Sequence, residues 1–208
     1  MRTLTKETQE KITPQIALKL LQDGNDRFIN NLKVNRNLLQ QVNETMDGQH
    51  PFAVILSCID SRTSAELVFD QGLGDVFSIR IAGNILNEDI LGSMEFACKV
   101  AGAKIIVVLG HTKCGAIKGA CDHVEMGNLT GLLHKIKPAM ELTPYTNGTE
   151  FAYPNAVAAN NVHHVMDEVA LHSPIIKEMI AAHEIAIVGG MYDIETGLVD
   201  FYEHPHLI

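Results

Sequence analysis

Two polar motifs, each placed just after an apolar run, constrain the fold of this chain more than any other feature. The first run, FAVIL at residues 52–56, is followed by SCIDSR at residues 57–62. The second run, IIVVL at residues 105–109, is followed after one glycine by HTKC at residues 111–114. Short, β-branched apolar runs are typical of buried parallel strands, and parallel strands end at the same edge of a sheet. We therefore expect both motifs to lie together at that edge.

Within these motifs, the residues that could bind a metal ion are Cys58, His111 and Cys114. Thiolates and imidazole select zinc over magnesium or calcium. Three protein ligands leave one position of a tetrahedral zinc open, as in catalytic sites. A buried cysteine is more often an inert apolar side chain, but that interpretation would have to explain all three residues together. The pattern therefore predicts one open zinc site per chain.

Asp60 and Arg62 lie on one side of the loop that follows Cys58. Asp60 could be the fourth zinc ligand, which would close the site, or it could pair with Arg62 and leave zinc a water molecule. In the second case zinc lowers the pKa of that water, and Asp60 could accept a hydrogen bond from the bound hydroxide. The alternative is an Asp–Arg pair that only ties the loop. Beside a zinc cysteine, we favour the catalytic interpretation.

Gly115 follows Cys114 where a helix is predicted to begin. Its backbone N–H could donate a hydrogen bond to an oxyanion, or the glycine could serve only the tight turn from strand to helix. Both interpretations can hold. His204 and His206, near the C-terminal end, are too isolated in the sequence to be predicted as ligands.

An alternation of strand and helix patterns begins at residue 52 and predicts an α/β fold with a mostly parallel central sheet and helices on both faces. Residues 192–201 predict a turn and then an antiparallel edge strand, and residues 138–155 predict the longest loop. Ligands bind at the carboxyl ends of the strands in such folds. The predicted strands cover residues 53–57, 76–81, 104–109 and 185–189. The predicted helices cover residues 64–69, 91–101, 115–124, 157–171 and 174–183.

The length of 208 residues predicts one domain, residues 1–208, made of an N-terminal helical arm (1–48) and an α/β core (49–208). The arm could cross onto a partner subunit, or it could be a surface helix followed by a loop. Its apolar positions recur at helical spacing as Ile16, Leu20 and Leu21.

The formal net charge of −9 argues against a nucleic acid or an anionic membrane as a partner, because no basic patch would offset phosphate charge. No apolar run approaches membrane-spanning length, and the first residues lack the apolar core of a signal peptide. We therefore expect a cytoplasmic protein. In that reducing setting the four cysteines are thiols or metal ligands rather than disulfides.

Taken together, these motifs resemble those of the beta-class carbonic anhydrases. The similarity covers about residues 14–203, and the combination of Cys-x-Asp-Ser-Arg with His-x-x-Cys is highly specific. The matching stretches are GQHPFAVILSCIDSR (48–62), DQGLGDVFSIRIAGN (70–84), GSMEF (92–96), VVLGHTKCGA (107–116) and IVGGMYDIETG (187–197).

The resemblance implies a zinc lyase that converts carbon dioxide reversibly to bicarbonate and a proton, with zinc-bound hydroxide as the nucleophile. It implies a substrate pocket at a dimer interface, and hence a homodimer or a larger even-numbered homo-oligomer. In that pocket Gln49 would be the amide donor, Phe77 an apolar wall and Gly115 the backbone donor. The further implied roles are zinc ligands for Cys58, His111 and Cys114, and the catalytic dyad for Asp60 and Arg62.

The sequence also departs from the pattern of this family. Phe96 stands where some members carry a pocket tyrosine, so the hydroxyl is absent. The chain has no tryptophan, which weakens the case for the inhibitory bicarbonate site that some members build around one. Two alternatives stay open: a related zinc hydrolase acting on carbonyl sulfide or carbon disulfide, and a non-enzymatic zinc- or bicarbonate-binding module. An intact Asp60–Arg62 pair beside an open zinc argues against the second.

Overall fold

A five-stranded sheet with the order β2-β1-β3-β4-β5 forms the centre of the chain in a computed structural model, which describes residues 2–145 and 147–202. The predictions for His204 and His206 lie outside the described residues. The first four strands are parallel, and β5 pairs antiparallel with β4, so the predicted α/β class and edge strand are confirmed. The strands are Ala53–Ser57 (β1), Val76–Arg80 (β2), Ile105–His111 (β3), Ala186–Tyr192 (β4) and Val199–Phe201 (β5).

Helices cover both faces of this sheet, and alternate residues of the buried strands pack against the two layers. The α-helices are Lys6–Glu10 (α1), Pro14–Ile29 (α2), Leu38–Thr45 (α3), Ala65–Val68 (α4), Glu88–Glu95 (α5), Gly115–Cys121 (α6), Gly127–His134 (α7), Lys137–Glu141 (α8), Ala152–His172 (α9) and Pro174–Ala181 (α10). Val54 of β1 packs in a cluster with α5, α9 and α10, whereas Ile55 packs on the other face with α2 and α4. No helix in the described ranges is both long enough and apolar enough to cross a bilayer.

Strand β3 runs two residues beyond its predicted end at residue 109, so that His111 is its last residue. Gly110 argues against a strand at the sequence level, because glycine weakens strand interiors. Here it has a packing reason: a Cβ at Gly110 would lie 2.6 Å from the Met191 sulfur and 2.7 Å from a Val162 methyl group. The parallel ladder with β4 therefore continues to the pair of His111 and Tyr192.

The predicted loop at residues 138–155 is too long. Residues 137–141 form α8, with a proline in its first turn, and α9 already begins at Ala152. A proline there costs little, because the first N–H groups of a helix have no partner inside the helix. Only residues 142–151 lie between the two helices in the chain.

The N-terminal arm contains three helices, and the longest of them, α2, packs on the sheet of its own chain. The Thr13 side chain caps α2, as its position before a proline suggests. Ala17 and Leu21 are fully buried against the sheet, Leu20 is partly buried, and Ile16 is 45% exposed. The apolar stripe therefore differs by one position from the predicted one. Of the two alternatives for the arm, a helix on the surface of its own subunit describes α2, but the segment after it contains α3 rather than only a loop.

Candidate metal centre

Three residues from the two strand-end motifs come together at the carboxyl edge of the sheet. Cys58 follows β1, His111 ends β3, and Cys114 is the N-cap residue of α6. Their potential ligand atoms all lie within 4.8 Å of one another, and the residues are only 4%, 1% and 2% exposed. The prediction that the ends of parallel strands bring these three side chains close together is thus confirmed.

His111 is held in the tautomer that a metal ligand requires. Its Nδ1 atom lies 2.9 Å from the carbonyl oxygen of Thr112, which can only accept, so Nδ1 carries the proton and donates it. The Nε2 atom is then an acceptor, yet it is buried and has no hydrogen-bond partner among the described residues. An unpaired buried acceptor is costly. A metal ion next to the two sulfur atoms would satisfy it.

The two thiols interact strongly, with 3.9 Å between the sulfur atoms of Cys58 and Cys114. The hydrogen bond between the two sulfur atoms lowers the pKa of the Cys58 thiol, and the Gly83 N–H also donates to that sulfur, at 3.3 Å. The same sulfur–sulfur hydrogen bond, together with burial, raises the pKa of Cys114. Without a cation, only one of the two sulfur atoms carries a charge. A divalent ion would allow both to be thiolates.

Asp60 forms a bidentate ion pair with Arg62. The Arg62 Nε atom lies 2.9 Å from Oδ1 of Asp60, the terminal Nη2 lies 2.7 Å from Oδ2, and the Arg62 amide donates to Oδ1 at 2.9 Å. Hydrogen bonds from Arg62 hold the pKa of Asp60 well below its usual range, although burial opposes this. The carboxylate is therefore ionised at all ordinary pH values and turned towards the guanidinium.

The loop carrying His111 and Cys114 is fixed by residues that are distant in sequence. Lys113 adopts a left-handed backbone conformation with φ of 53°, and its amide donates to the Asn155 side chain at 2.8 Å. The Lys113 ammonium group also pairs with Glu195. The sequence does not predict this role of Asn155, because an asparagine 42 positions away carries no local signal.

Gly115 is exposed and begins α6, as predicted. A Cβ at this position would meet no atom of the described residues within 4 Å, and its φ lies outside the left-handed region. The strand-to-helix turn therefore does not require glycine here, since Lys113 carries the left-handed conformation instead. Because Gly115 has no side chain, the space next to the candidate metal centre is open.

Gln49 and Phe77 do not approach the metal centre of their own chain. Gln49 is exposed and precedes β1, whereas Cys58 follows it, and five strand residues span about 16 Å. Phe77 pairs with Val54, near the amino end of the sheet. Its ring lies 6.2 Å from that of Phe96, beside an open cavity of about 550 Å³ at the β2 edge.

The fold and this site define an α/β protein whose parallel sheet presents a Cys–His–Cys metal-binding set next to an Asp–Arg ion pair. The carbonic anhydrase family model matches residues 53–199. Carbonic anhydrase 2 of Mycobacterium tuberculosis is 34% identical over 203 residues, covering 92% of this chain and 94% of the relative. The carbonic anhydrase of Mycolicibacterium smegmatis is 33% identical, with the same coverage of both chains.

Solved structures agree with this comparison. The beta-carbonic anhydrase CcaA has a TM-score of 0.71 at 25% identity, covering 91% of this chain and 94% of that one. A structure from Sordaria macrospora, described as one of two tetrameric beta-carbonic anhydrases, has a TM-score of 0.70 at 25% identity and covers 78% and 85%. The chain belongs to the beta-class carbonic anhydrase family and is an enzyme of that family. This membership supports the hydration of carbon dioxide.

Proposed function

We propose that this chain catalyses the reversible hydration of carbon dioxide to bicarbonate and a proton with one zinc ion held by Cys58, His111 and Cys114. The observation that carries this proposal is the buried, unpaired Nε2 atom of His111 beside two close sulfur atoms. Two thiolates and an imidazole are a soft ligand set that suits zinc and leaves one position open. When bound, zinc supplies Lewis acidity that lowers the pKa of a coordinated water towards neutrality.

Asp60 would orient the reacting water by accepting a hydrogen bond. Each carboxylate oxygen can accept about two hydrogen bonds. Oδ1 already accepts two from Arg62, whereas Oδ2 accepts one, so Oδ2 keeps a free acceptor position. Because the pKa of Asp60 is lowered, this oxygen does not become protonated and remains an acceptor while the substrate reacts. Arg62 would hold the carboxylate in a single orientation through its two parallel bonds.

Gly115 would donate its backbone N–H to a substrate oxygen. The N–H of a first helical residue has no partner inside the helix, and negative charge is favoured at helix N-termini. The open space around Gly115 would let a bicarbonate oxygen approach the backbone. A side chain at this position would occupy that space.

Gln49 and Phe77 would complete the substrate pocket of a second copy in a homodimer or a larger even-numbered assembly. Both lie away from the metal centre of their own chain, so they can serve a pocket only across an interface. Two surfaces support such an assembly: Phe96 at the β2 edge is 52% exposed, and α3 carries exposed apolar side chains. The tetrameric relatives from Sordaria macrospora agree with an even number. The side chains exposed on and next to α3 are Leu38, Leu39, Val42 and Met46.

Stopped-flow measurement of carbon dioxide hydration, with and without a zinc chelator, tests the proposal directly. We expect hydration by the purified protein, loss after chelation and recovery after zinc is restored. Activity on carbonyl sulfide or carbon disulfide without hydration of carbon dioxide would establish the hydrolase alternative. Stoichiometric zinc with no turnover of any of the three substrates would establish a binding module. The reduced thiols that the site needs fit a cytoplasmic setting.

A further inference from the structure

Arg80 forms a bridge between two backbone carbonyl groups of the loop that carries Cys58 and Asp60. It is the last residue of β2 and pairs with Ser57 across the parallel ladder. Its Nε atom donates to the Cys58 carbonyl oxygen at 3.0 Å, and its Nη2 atom donates to the Asp60 carbonyl oxygen at 2.6 Å. We infer that Arg80 is a positioning residue that fixes Cys58 and Asp60 relative to each other. This inference rests on the proposed function of those two residues.

Thr63, at the end of the loop, contacts the same two carbonyl oxygens. Its hydroxyl lies 3.2 Å from the Cys58 oxygen and 3.0 Å from the Asp60 oxygen, and its amide donates to the latter at 3.0 Å. Thr63 is 1% exposed, whereas the guanidinium of Arg80 comes from the surface. Two side chains from different elements thus hold one pair of carbonyl groups, an arrangement we call the carbonyl clamp.

Apolar packing holds the Cys58 end of this segment but not the residue that follows it. Between Cys58 and Asp60 lies only Ile59, whose side chain is 60% exposed. The orientation of the two peptide planes therefore sets the positions from which the Cys58 and Asp60 side chains extend. The carbonyl oxygens mark these planes, so holding both oxygens restrains the backbone that carries both side chains.

The planar fork of arginine suits this task, because its Nε and Nη2 N–H groups are held at a fixed spacing and can meet two acceptors at once. A lysine ammonium is a single point donor and cannot hold two carbonyl groups in the same relative geometry. Arg80 donates to backbone oxygens, whereas the Asp60 carboxylate is bound by Arg62. Its effect on the reaction must therefore pass through the loop.

The Arg80→Lys variant keeps the charge and removes the fork. In the zinc-loaded enzyme we expect kcat to fall about 10- to 100-fold, the range typical of groups that orient metal-site residues, with KM nearly unchanged. In protein loaded with cobalt(II) instead of zinc, we expect the sulfur-to-cobalt charge-transfer band to shift or lose intensity. Arg2→Lys makes the same exchange at an exposed ion pair with Glu44 and should leave both readouts unchanged.

A double variant separates positioning from a general effect of surface charge on substrate capture. If Arg80 acts through Asp60, then Asp60→Asn combined with Arg80→Lys should lose far less than the product of the two single losses. A full product of losses, or an Arg80→Lys enzyme with unchanged kcat and an unchanged cobalt spectrum, would overturn the inference. If Arg80→Lys fails to fold, Thr63→Val compared with Thr63→Ser tests the carbonyl clamp in the same way.

The cobalt spectrum keeps this test independent of the proposed function. A wild-type protein that binds the ion but does not hydrate carbon dioxide would refute the proposed reaction. In that case a perturbed spectrum in Arg80→Lys, with a normal spectrum in Arg2→Lys, would still support the positioning role.

Discussion

The sulfur atoms of Cys58 and Cys114 lie 3.9 Å apart, although the two residues are 56 positions apart in the chain. This separation is much longer than a disulfide bond of about 2.05 Å. Two thiolates this close would repel each other unless a cation lay between them. Without a cation, one sulfur donates a hydrogen bond to the other, which lowers the pKa of Cys58 and raises that of Cys114. Such a pair suits a shared positive ion, which would allow both sulfur atoms to be thiolates.

Replacing one sulfur ligand should release the metal. We expect Cys114→Ser to lose most of its zinc, because a hydroxyl is a much weaker zinc ligand than a thiolate. Metal analysis after dialysis measures this loss. Cys121→Ser is the matched control, since Cys121 lies in the helix that Cys114 caps but outside the metal-binding group, and it should keep one zinc per chain. Full zinc retention by Cys114→Ser would remove Cys114 from the ligand set.

Neutralising Asp60 should separate metal binding from catalysis. Asp60→Asn should keep its zinc but lose hydration activity about 100-fold or more, because the amide lacks the charge that pairs with Arg62 and offers one acceptor oxygen instead of two. Zinc content and stopped-flow kinetics are measured on the same sample. Asp122→Asn, which changes an exposed partner of Lys118, should leave both unchanged. Near-normal turnover in Asp60→Asn would show that the Asp60–Arg62 pair only stabilises the loop.

Asp70 should contribute stability that depends on pH. Burial alone would raise its pKa, but hydrogen bonds from Arg27, the Val34 amide and Arg36 outweigh burial and lower it. A carboxyl with a lowered pKa stabilises the folded state above its unfolded pKa of about 3.9, and this stability is lost as pH falls through the folded pKa. Asp70→Asn should therefore cost on the order of 3 kcal/mol at pH 7, because it leaves the buried Arg36 without its charge partner.

Urea titrations at several pH values and one protein concentration measure this contribution. The difference in unfolding free energy between wild type and Asp70→Asn should begin to shrink as pH falls below about 4, where the carboxyl of the unfolded chain takes up a proton. It should keep shrinking until the folded carboxyl, whose pKa is lower, is also protonated. Asp23→Asn removes an exposed pair with Lys19 and should cost less than about 1 kcal/mol at any pH. A difference that stays constant from pH 7 to pH 3 would contradict the linkage.

The exposed apolar side chains of α3 offer a test of assembly that spares the fold. Deleting the arm would uncover the sheet face that Ala17 and Leu21 bury, so a loss of mass after deletion would be ambiguous. Leu39 is 73% exposed, and Leu39→Lys should shift the assembly towards smaller species in light scattering while the melting temperature of the monomer is retained. Lys33→Gln, an exposed change in the segment before α3, is the control. An unchanged mass for Leu39→Lys would exclude this side chain from the interface.

Much of the metal centre could be predicted from the sequence because its residues directly follow, or end, two strands with strong apolar patterns. The boundaries of β1 agree with the prediction at both ends, and the parallel register then brings Cys58 next to His111 and Cys114. In such cases local sequence determines where the chemistry lies.

Other features depend on contacts that local patterns do not encode. Arg80 and Asn155 contact the two loops of the candidate metal centre from 20 and 42 positions away, and no local pattern predicts which backbone groups they bind. The buried face of α2 differs from the predicted one because the small side chain of Ala17, rather than the larger one of Ile16, faces the sheet. Which face of a helix is buried depends on how closely it can approach its neighbour, and periodicity alone does not measure that distance.

His111 is the last residue of a central strand whose seven residues are all buried. The His111 side chain is thus anchored by the same ladder that resists global unfolding, and Cys58 directly follows the neighbouring strand. Such a centre is preorganised, since its geometry is set when the sheet forms and not when the ion arrives. Metal exchange should therefore proceed without a refolding step, at a rate governed by entry of the ion and by deprotonation of the second thiol.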